Sequence, residues 1–223
     1  AKVHWVQAYP VVVRPPYRCS MTTKTLHWTP STQSITDESG SVVAQVSTSD
    51  IVSLAESWPT DLDAKTLIVP CGQHLGADPE PSAQLLARWS QDSWEPFNEA
   101  VTQVQQLATD AGIELVLLPG AGGRLSDAIC TLSWSAAHPD IPLLIDPARW
   151  LTPSMLTDLT DHLIRSTSLC EELPNIWGVA ARSIETNSSS HLTHAPIGEG
   201  LISPDLINRT IRTIPAPRWI ECR

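Results

Sequence analysis

From about residue 41 onward, short apolar runs alternate with segments of helical periodicity, and this alternation constrains the fold of the chain most strongly. The runs typical of strands are 41–49, 65–72, 113–120, 141–150, 175–184 and 218–222. Between the second and third runs, apolar residues from Trp94 to Ala111 recur at helical spacing until Gly112 ends the helix. Repeated β-α-β order predicts a parallel sheet covered by helices.

Consecutive right-handed crossovers can close such a sheet into a barrel or leave it open. We expect a single α/β domain over residues 1–223, folded as a TIM-like (β/α) barrel that is irregular or incomplete, with about seven strands. An open doubly wound sheet is the alternative, and pairing of strand 218–222 with an N-terminal strand distinguishes the two. Residues 1–40 are atypical, because "VHWVQAYPVVV" and "TLHWTP" both look extended with no helix signal between them. One of the two is predicted to be the first barrel strand.

Composition excludes several classes of function. The formal net charge is −10 and the chain has no basic run, which disfavours nucleic-acid binding. No stretch of about 18 apolar residues is present, so we expect no membrane span. The first residues lack the pattern of a signal peptide, which favours a cytoplasmic location. The five cysteines are scattered without a Cys-x-x-Cys motif, a distribution that favours reduced thiols over disulfides or a zinc site.

The stretch "HAPIGEGLISPDLI", residues 194–207, combines a Gly-Glu-Gly turn with a helix start. Ser203 is suited to cap the helix and Pro204 to its first turn, while Gly198 and Gly200 permit unusual backbone angles. Local rules thus predict the turn and the helix. They do not explain why the turn is Gly-Glu-Gly.

Five segments together resemble one family. "GIELVLLPG", "IPLLIDPARWL", "IWGVAARS", "HAPIGEGLISPDLI" and "RWIEC" occur in the order and spacing of the xylose-isomerase-like TIM barrels, the sugar phosphate isomerase/epimerase and endonuclease IV-like superfamily. The resemblance covers about residues 41–223. It implies a divalent metal (Mn, Zn or Mg) at the carboxyl end of the barrel, polarising oxygens of a sugar or related polyol.

Carried over residue by residue, the resemblance assigns two metal ligands. The Asp of the family's Asp-x-x-His turn corresponds to Asp146, and the Glu that closes the last strand corresponds to Glu221. His194 and His74 are candidates to substitute for missing ligands. Carboxylate and imidazole are the donors that such divalent ions take.

The remaining positions of the family's site have changed in this chain. Leu118 occupies the place of a Glu, Ala180 that of a His and Ser183 that of an Asp. Arg149 replaces the His of the Asp-x-x-His turn. A guanidinium there is expected to pair with Asp146 or Glu221 and to fill the position of the missing ion.

Two classes of function therefore remain open. The first is a sugar phosphate isomerase/epimerase-like enzyme that acts on or binds a sugar or polyol with a partly retained metal site. The second is a non-catalytic, metal-free barrel that binds a ligand or a protein partner. Arg149, Trp150 and Trp89 are the candidate ligand-binding residues, since tryptophans at the barrel mouth can stack on a sugar ring; hydrophobic cover is the alternative role. The sequence indicates neither the substrate nor the oligomeric state.

Two further motifs follow strands. Cys71 and His74 in "PCGQHLG" could form a nucleophile and base, but their spacing fits a packed cysteine beside a loop histidine better. The glycine-rich "GAGGR", residues 120–124, lacks the spacing of a phosphate-binding loop.

Overall fold

The computed structural model describes residues 24–29, 33–39, 41–47, 50–59, 62, 64–72, 94–188 and 191–222. The strands are β1 (Lys24–Thr29), β2 (Ser34–Thr36), β3 (Val42–Val46), β4 (Thr66–Pro70), β5 (Glu114–Leu118), β6 (Leu143–Ile145), β7 (Ile176–Ala181), β8 (Ser183–Thr186), β9 (Leu192–Ala195) and β10 (Arg218–Cys222). The α-helices are α1 (Ile51–Glu56), α2 (Trp94–Asp110), α3 (Ala128–Ala137), α4 (Leu159–Cys170) and α5 (Pro204–Arg209). Short 3₁₀ segments span Pro147–Trp150, Pro153–Asp158 and Ile211–Thr213.

Eight strands form a closed barrel in the order β1-β10-β7-β6-β5-β4-β3-β2. The N- and C-terminal strands β1 and β10 pair in parallel, with Leu26 opposite Ile220. This closure confirms the expectation of a barrel within an α/β fold, and the open sheet is wrong. The "TLHWTP" segment supplies β1, whereas "VHWVQAYPVVV" lies outside the described residues.

The barrel is mixed, because β2 runs antiparallel to both of its neighbours while the other pairs are parallel. The expected number of about seven strands is therefore wrong by this one strand. β2 has three residues and follows Gln33 at a φ of 52°. So short a segment has too few residues to show the two-residue alternation by which strands are found in a sequence.

In the described part of the chain, helices follow β3, β4, β5, β6 and β9. The hairpin β8–β9 interrupts this alternation between β7 and α5. Two predicted strands are also shorter than expected. Run 141–150 is extended only over Leu143–Ile145 before the 3₁₀ turn, and run 175–184 divides into β7 and β8 at Arg182.

Side chains hold the starts of three helices. Asp50, Asp127 and Ser203 each accept a hydrogen bond from a backbone N–H in the first turn of α1, α3 and α5. These bonds satisfy donors that the helix itself leaves unpaired. The cap at Ser203, followed by Pro204, is the helix start that the sequence predicted.

Alternation along the strands produces two apolar layers. Inside the barrel lie Leu26, Ile35, Ala44, Val46, Ile68, Val116, Leu118, Leu144, Trp177, Ala180, Ile220 and Cys222. The intervening residues, such as Leu117, Ile145 and Val179, pack outward against the helices. Every helix in the described part of the chain is too short or too polar to cross a membrane.

Candidate site at the carboxyl end of the barrel

The carboxyl ends of β6, β7 and β10 bring several polar side chains to one end of the barrel. β7 lies between β6 and β10, and all three strands are parallel. Ile145 is opposite Val179 in the parallel pair, so Asp146 lies at the same height along the barrel as Ala180. Asp146 is two residues beyond the inward-facing Leu144, so it continues the face that lines the barrel.

Asp146 forms a buried ion pair with Arg182, the residue that directly follows β7. The distance between Arg182 Nη2 and Asp146 Oδ2 is 2.6 Å, and the two side chains are 4% and 0% exposed. Asp146 Oδ1 is also buried, and it accepts no hydrogen bond from the described residues. Buried acceptors in native proteins nearly always have a partner, so an acceptor of this kind calls for a water or a ligand.

Arg149 joins this pair from the 3₁₀ turn after β6. Its backbone N–H donates to Asp146 O at 3.0 Å, which fixes the turn, and its own carbonyl accepts from Ala121 N at 2.9 Å. Burial lowers the pKa of the guanidinium to about 10; Asp146 raises it and Arg182 lowers it further. Both arginines are therefore close enough to Asp146 to interact electrostatically with its carboxylate.

His194 on β9 completes the cluster of Asp146, Arg149, Arg182 and His194, which we call the mouth cluster. Burial and then Arg182 lower the pKa of its imidazole, whereas Asp146 and a hydrogen bond to its own backbone raise it. Nε2 is buried and has no hydrogen-bond partner among the described residues. The rest of the side chain is half-buried, and the other three side chains of the cluster are fully buried.

The donor set at this end does not fit the divalent metal that the family resemblance implies. Asp146 already faces a guanidinium, and Leu118 and Ala180 offer no ligand atoms. Glu221 alternates with the inward-facing Ile220 and Cys222, so it points outward. There it pairs with Arg212 at 2.9 Å. Over the described residues, no three His, Cys, Asp or Glu side chains gather as a metal would require.

The structure therefore separates the two predicted ligands, Asp146 and Glu221, although both lie at the same end of the sheet. Arg149 was expected to pair with either of them. Arg149 does interact electrostatically with Asp146. The 2.6 Å ion pair with that carboxylate, however, is formed by Arg182. Sequence reasoning missed Arg182, although its position directly after the apolar run "IWGVAA" was a usable signal.

Trp150, another predicted site residue, does not join the mouth cluster. Trp150 is buried in the outer layer, and its indole Nε1 donates to Leu125 O at 3.3 Å, so it provides hydrophobic cover rather than a stacking surface. Trp89 and His74 lie outside the described residues. Cys71 is buried, and burial raises the pKa of its thiol to about 12, which leaves little thiolate for nucleophilic attack.

Ser183 and Gly200 explain the Gly-Glu-Gly turn structurally. Ser183 Oγ accepts from Ile202 N at 2.9 Å and donates to Ile202 O at 3.0 Å, which ties the turn to β8. A Cβ at Gly200 would overlap the carbonyl oxygen of Ile184 and the hydroxyl of Ser183. Gly198 has a φ of 97°, and Glu199 between the glycines is exposed. The turn therefore packs closely against the β8–β9 hairpin.

The glycine-rich stretch "GAGGR" packs against the chain that follows β4. A Cβ at Gly123 would overlap the carbonyl oxygen of Cys71, and one at Gly72 would overlap that of Gly120. A Cβ at Gly120 would lie 3.0 Å from Arg149 Nε. These glycines allow two loops to interlock beside the mouth cluster.

Comparison with known proteins gives no assignment at this point: no protein-family model matches the chain, and no curated protein is significantly similar to it.

Proposed function

We propose that the chain is a barrel of xylose-isomerase-like type that binds a sugar or related polyol at the mouth cluster without a metal. The observation that carries this proposal is the buried carboxylate of Asp146, held at 2.6 Å by Arg182 while its Oδ1 accepts no hydrogen bond from the described residues. A ligand hydroxyl is a suitable donor to that oxygen. In barrels of this kind, ligands bind at the carboxyl ends of the strands.

The charges of the mouth cluster favour this reading over a metal-dependent isomerase or epimerase. The guanidinium groups of Arg149 and Arg182 lie near the buried carboxylate of Asp146, and a divalent cation placed there would add like charge in a poorly solvated region. A guanidinium instead donates to oxygen atoms in a fixed geometry. The guanidinium of Arg182 thus orients the carboxylate to which a ligand hydroxyl would donate.

The experiment is calorimetric titration of the purified protein with xylitol, myo-inositol and D-xylose, after removal of adventitious metal with a chelator. We expect at least one of these to bind, and Asp146→Asn to weaken that binding, because the amide is uncharged and is a weaker partner for Arg182. Asp161→Asn is the matched control, since Asp161 pairs with Arg165 on the exposed face of α4. Its affinity is expected to equal that of the unmodified chain.

Elemental analysis tests the competing function directly. Near-stoichiometric Mn, Zn or Mg in the purified protein that disappears in Asp146→Ala would support the metal-dependent isomerase/epimerase and contradict our proposal. No binding of any polyol, together with normal folding, would leave the mouth cluster a structural feature whose open acceptor is filled by water.

A further inference from the structure

We infer that His194 is a specificity-determining residue of the proposed polyol site, with its Nε2 atom contacting a second hydroxyl of the ligand that Asp146 binds. This inference rests on the proposed function. It assigns the recognition of a second hydroxyl of that polyol to His194.

The first support is the pair of open polar atoms in the mouth cluster. Asp146 Oδ1 and His194 Nε2 are both buried, and neither has a hydrogen-bond partner within the described part of the chain. Leaving such atoms unpaired carries a desolvation penalty. One ligand with two hydroxyls would satisfy both atoms.

The second support is the placement of His194 by the hairpin. β9 pairs with β8 so that His194 lies opposite Ile184. Ile184 is two residues after Arg182 along the chain. The imidazole is near enough to Arg182 and Asp146 for both to affect its pKa. A residue of the inserted hairpin is thereby brought to the ends of barrel strands β6 and β7.

The third support is exposure. Asp146, Arg149 and Arg182 are each at most 5% exposed, whereas His194 is only half-buried. His194 is therefore the least buried residue of the mouth cluster.

The lowered pKa agrees with this role. A neutral imidazole has one nitrogen that donates and one that accepts. At neutral pH, His194 can therefore exchange a hydrogen bond with a hydroxyl without bringing another positive charge beside Arg182.

The test compares xylitol with glycerol in calorimetric titrations of the unmodified chain, His194→Ala, His194→Gln and His191→Ala. Xylitol is long enough to offer separated hydroxyls, and glycerol is the short reference. We expect His194→Ala to weaken xylitol binding by about tenfold, the loss of roughly one hydrogen bond. Glycerol binding should change little.

His194→Gln keeps a polar nitrogen near the position of Nε2 and is expected to restore much of the affinity. His191→Ala removes an imidazole three residues away, where the backbone N–H of His191 bonds Asn187, and is expected to bind xylitol normally. The ¹⁵N resonance of His194 Nε2 should also shift when xylitol is added, a signal that a merely structural histidine would not give.

Two failures are distinguishable. If xylitol binds and Asp146→Asn abolishes binding, but His194→Ala binds as tightly as the unmodified chain, the role of His194 is overturned and the proposed function stands. If no polyol binds to the unmodified chain, both are overturned.

Discussion

At the scale of single residues, two Asp–Arg pairs of the described residues differ mainly in their exposure. Arg182 and Asp146 are 4% and 0% exposed, whereas Arg165 and Asp161 are 76% and 54% exposed. Breaking a buried pair from one side costs about 3–5 kcal/mol, because a charge loses its compensation where water cannot replace it. An exposed i,i+4 pair contributes about 0.3–0.5 kcal/mol.

We therefore expect Asp146→Ala to lower the free energy of unfolding by several kcal/mol, on the order of 3 or more. Asp161→Ala should change it by less than about 0.5 kcal/mol. Urea denaturation followed by tryptophan fluorescence measures both. Equal stability of the two variants would mean that the Asp146–Arg182 contact is not formed in solution.

At the scale of elements, the loops after β4 and β5 interlock through glycines. A Cβ on Gly123 has no room beside the Cys71 carbonyl, so Gly123→Ala forces the two loops apart. Overpacking of this kind costs about 1–3 kcal/mol. Arg149 packs against the same loop at Gly120, and its carbonyl accepts a hydrogen bond from Ala121 N. The displacement of the loop should therefore also reach the mouth cluster.

Gly112, just beyond α2, is the reference for this prediction. It has a φ of 69° and open space where a Cβ would stand, so Gly112→Ala carries only the backbone cost of about 1–2 kcal/mol. Thermal melts should show that Gly123→Ala is at least as destabilising, and only Gly123→Ala should weaken polyol binding. A Gly112→Ala variant that also lost binding would contradict a local effect of the loop.

At the scale of the whole molecule, the barrel and the hairpin differ in how they are supported. β4 and β5 pair over five registered positions, and apart from Glu114 their residues are buried in the inner or the outer layer. The hairpin β8–β9 pairs over four positions but belongs to a separate sheet, and its Glu185 and Thr186 are exposed. Similar hydrogen bonding is therefore combined with lower burial in the hairpin, where four of the eight strand residues are buried.

We expect the barrel strands and the β8–β9 hairpin to differ in the rate of amide hydrogen exchange. Amides of 114–118 should exchange only through global unfolding, while those of 185–193 should exchange through local opening of the hairpin at a much lower free energy. Exchange followed by mass spectrometry measures both segments in one sample. Hairpin amides as slow as those of β5 would show that the hairpin is part of the barrel's cooperative unit. Slowing on addition of xylitol would be expected if His194 contacts the ligand.

The sequence by itself determined where most strands and helices lie and that they form an α/β fold, while the choice between a barrel and an open sheet was decided by the pairing of β1 with β10. Runs such as "ELVLL" and the stripe of α2 carry their periodicity locally, and caps such as Asp127 and Ser203 act within one turn. Periodicity and capping depend on neighbours a few residues away, so they can be read without the rest of the chain.

Only the tertiary structure decided which side chains meet. Glu221 was assigned inward with Asp146, yet it faces outward, because a shift of one residue along a strand exchanges the two faces. Arg182 appeared to belong to an uninterrupted strand, and the break between β7 and β8 places it on Asp146 instead. Strand direction at β2, strand register and the position of the hairpin arise from pairings between distant segments, and the local pattern of residues does not encode them.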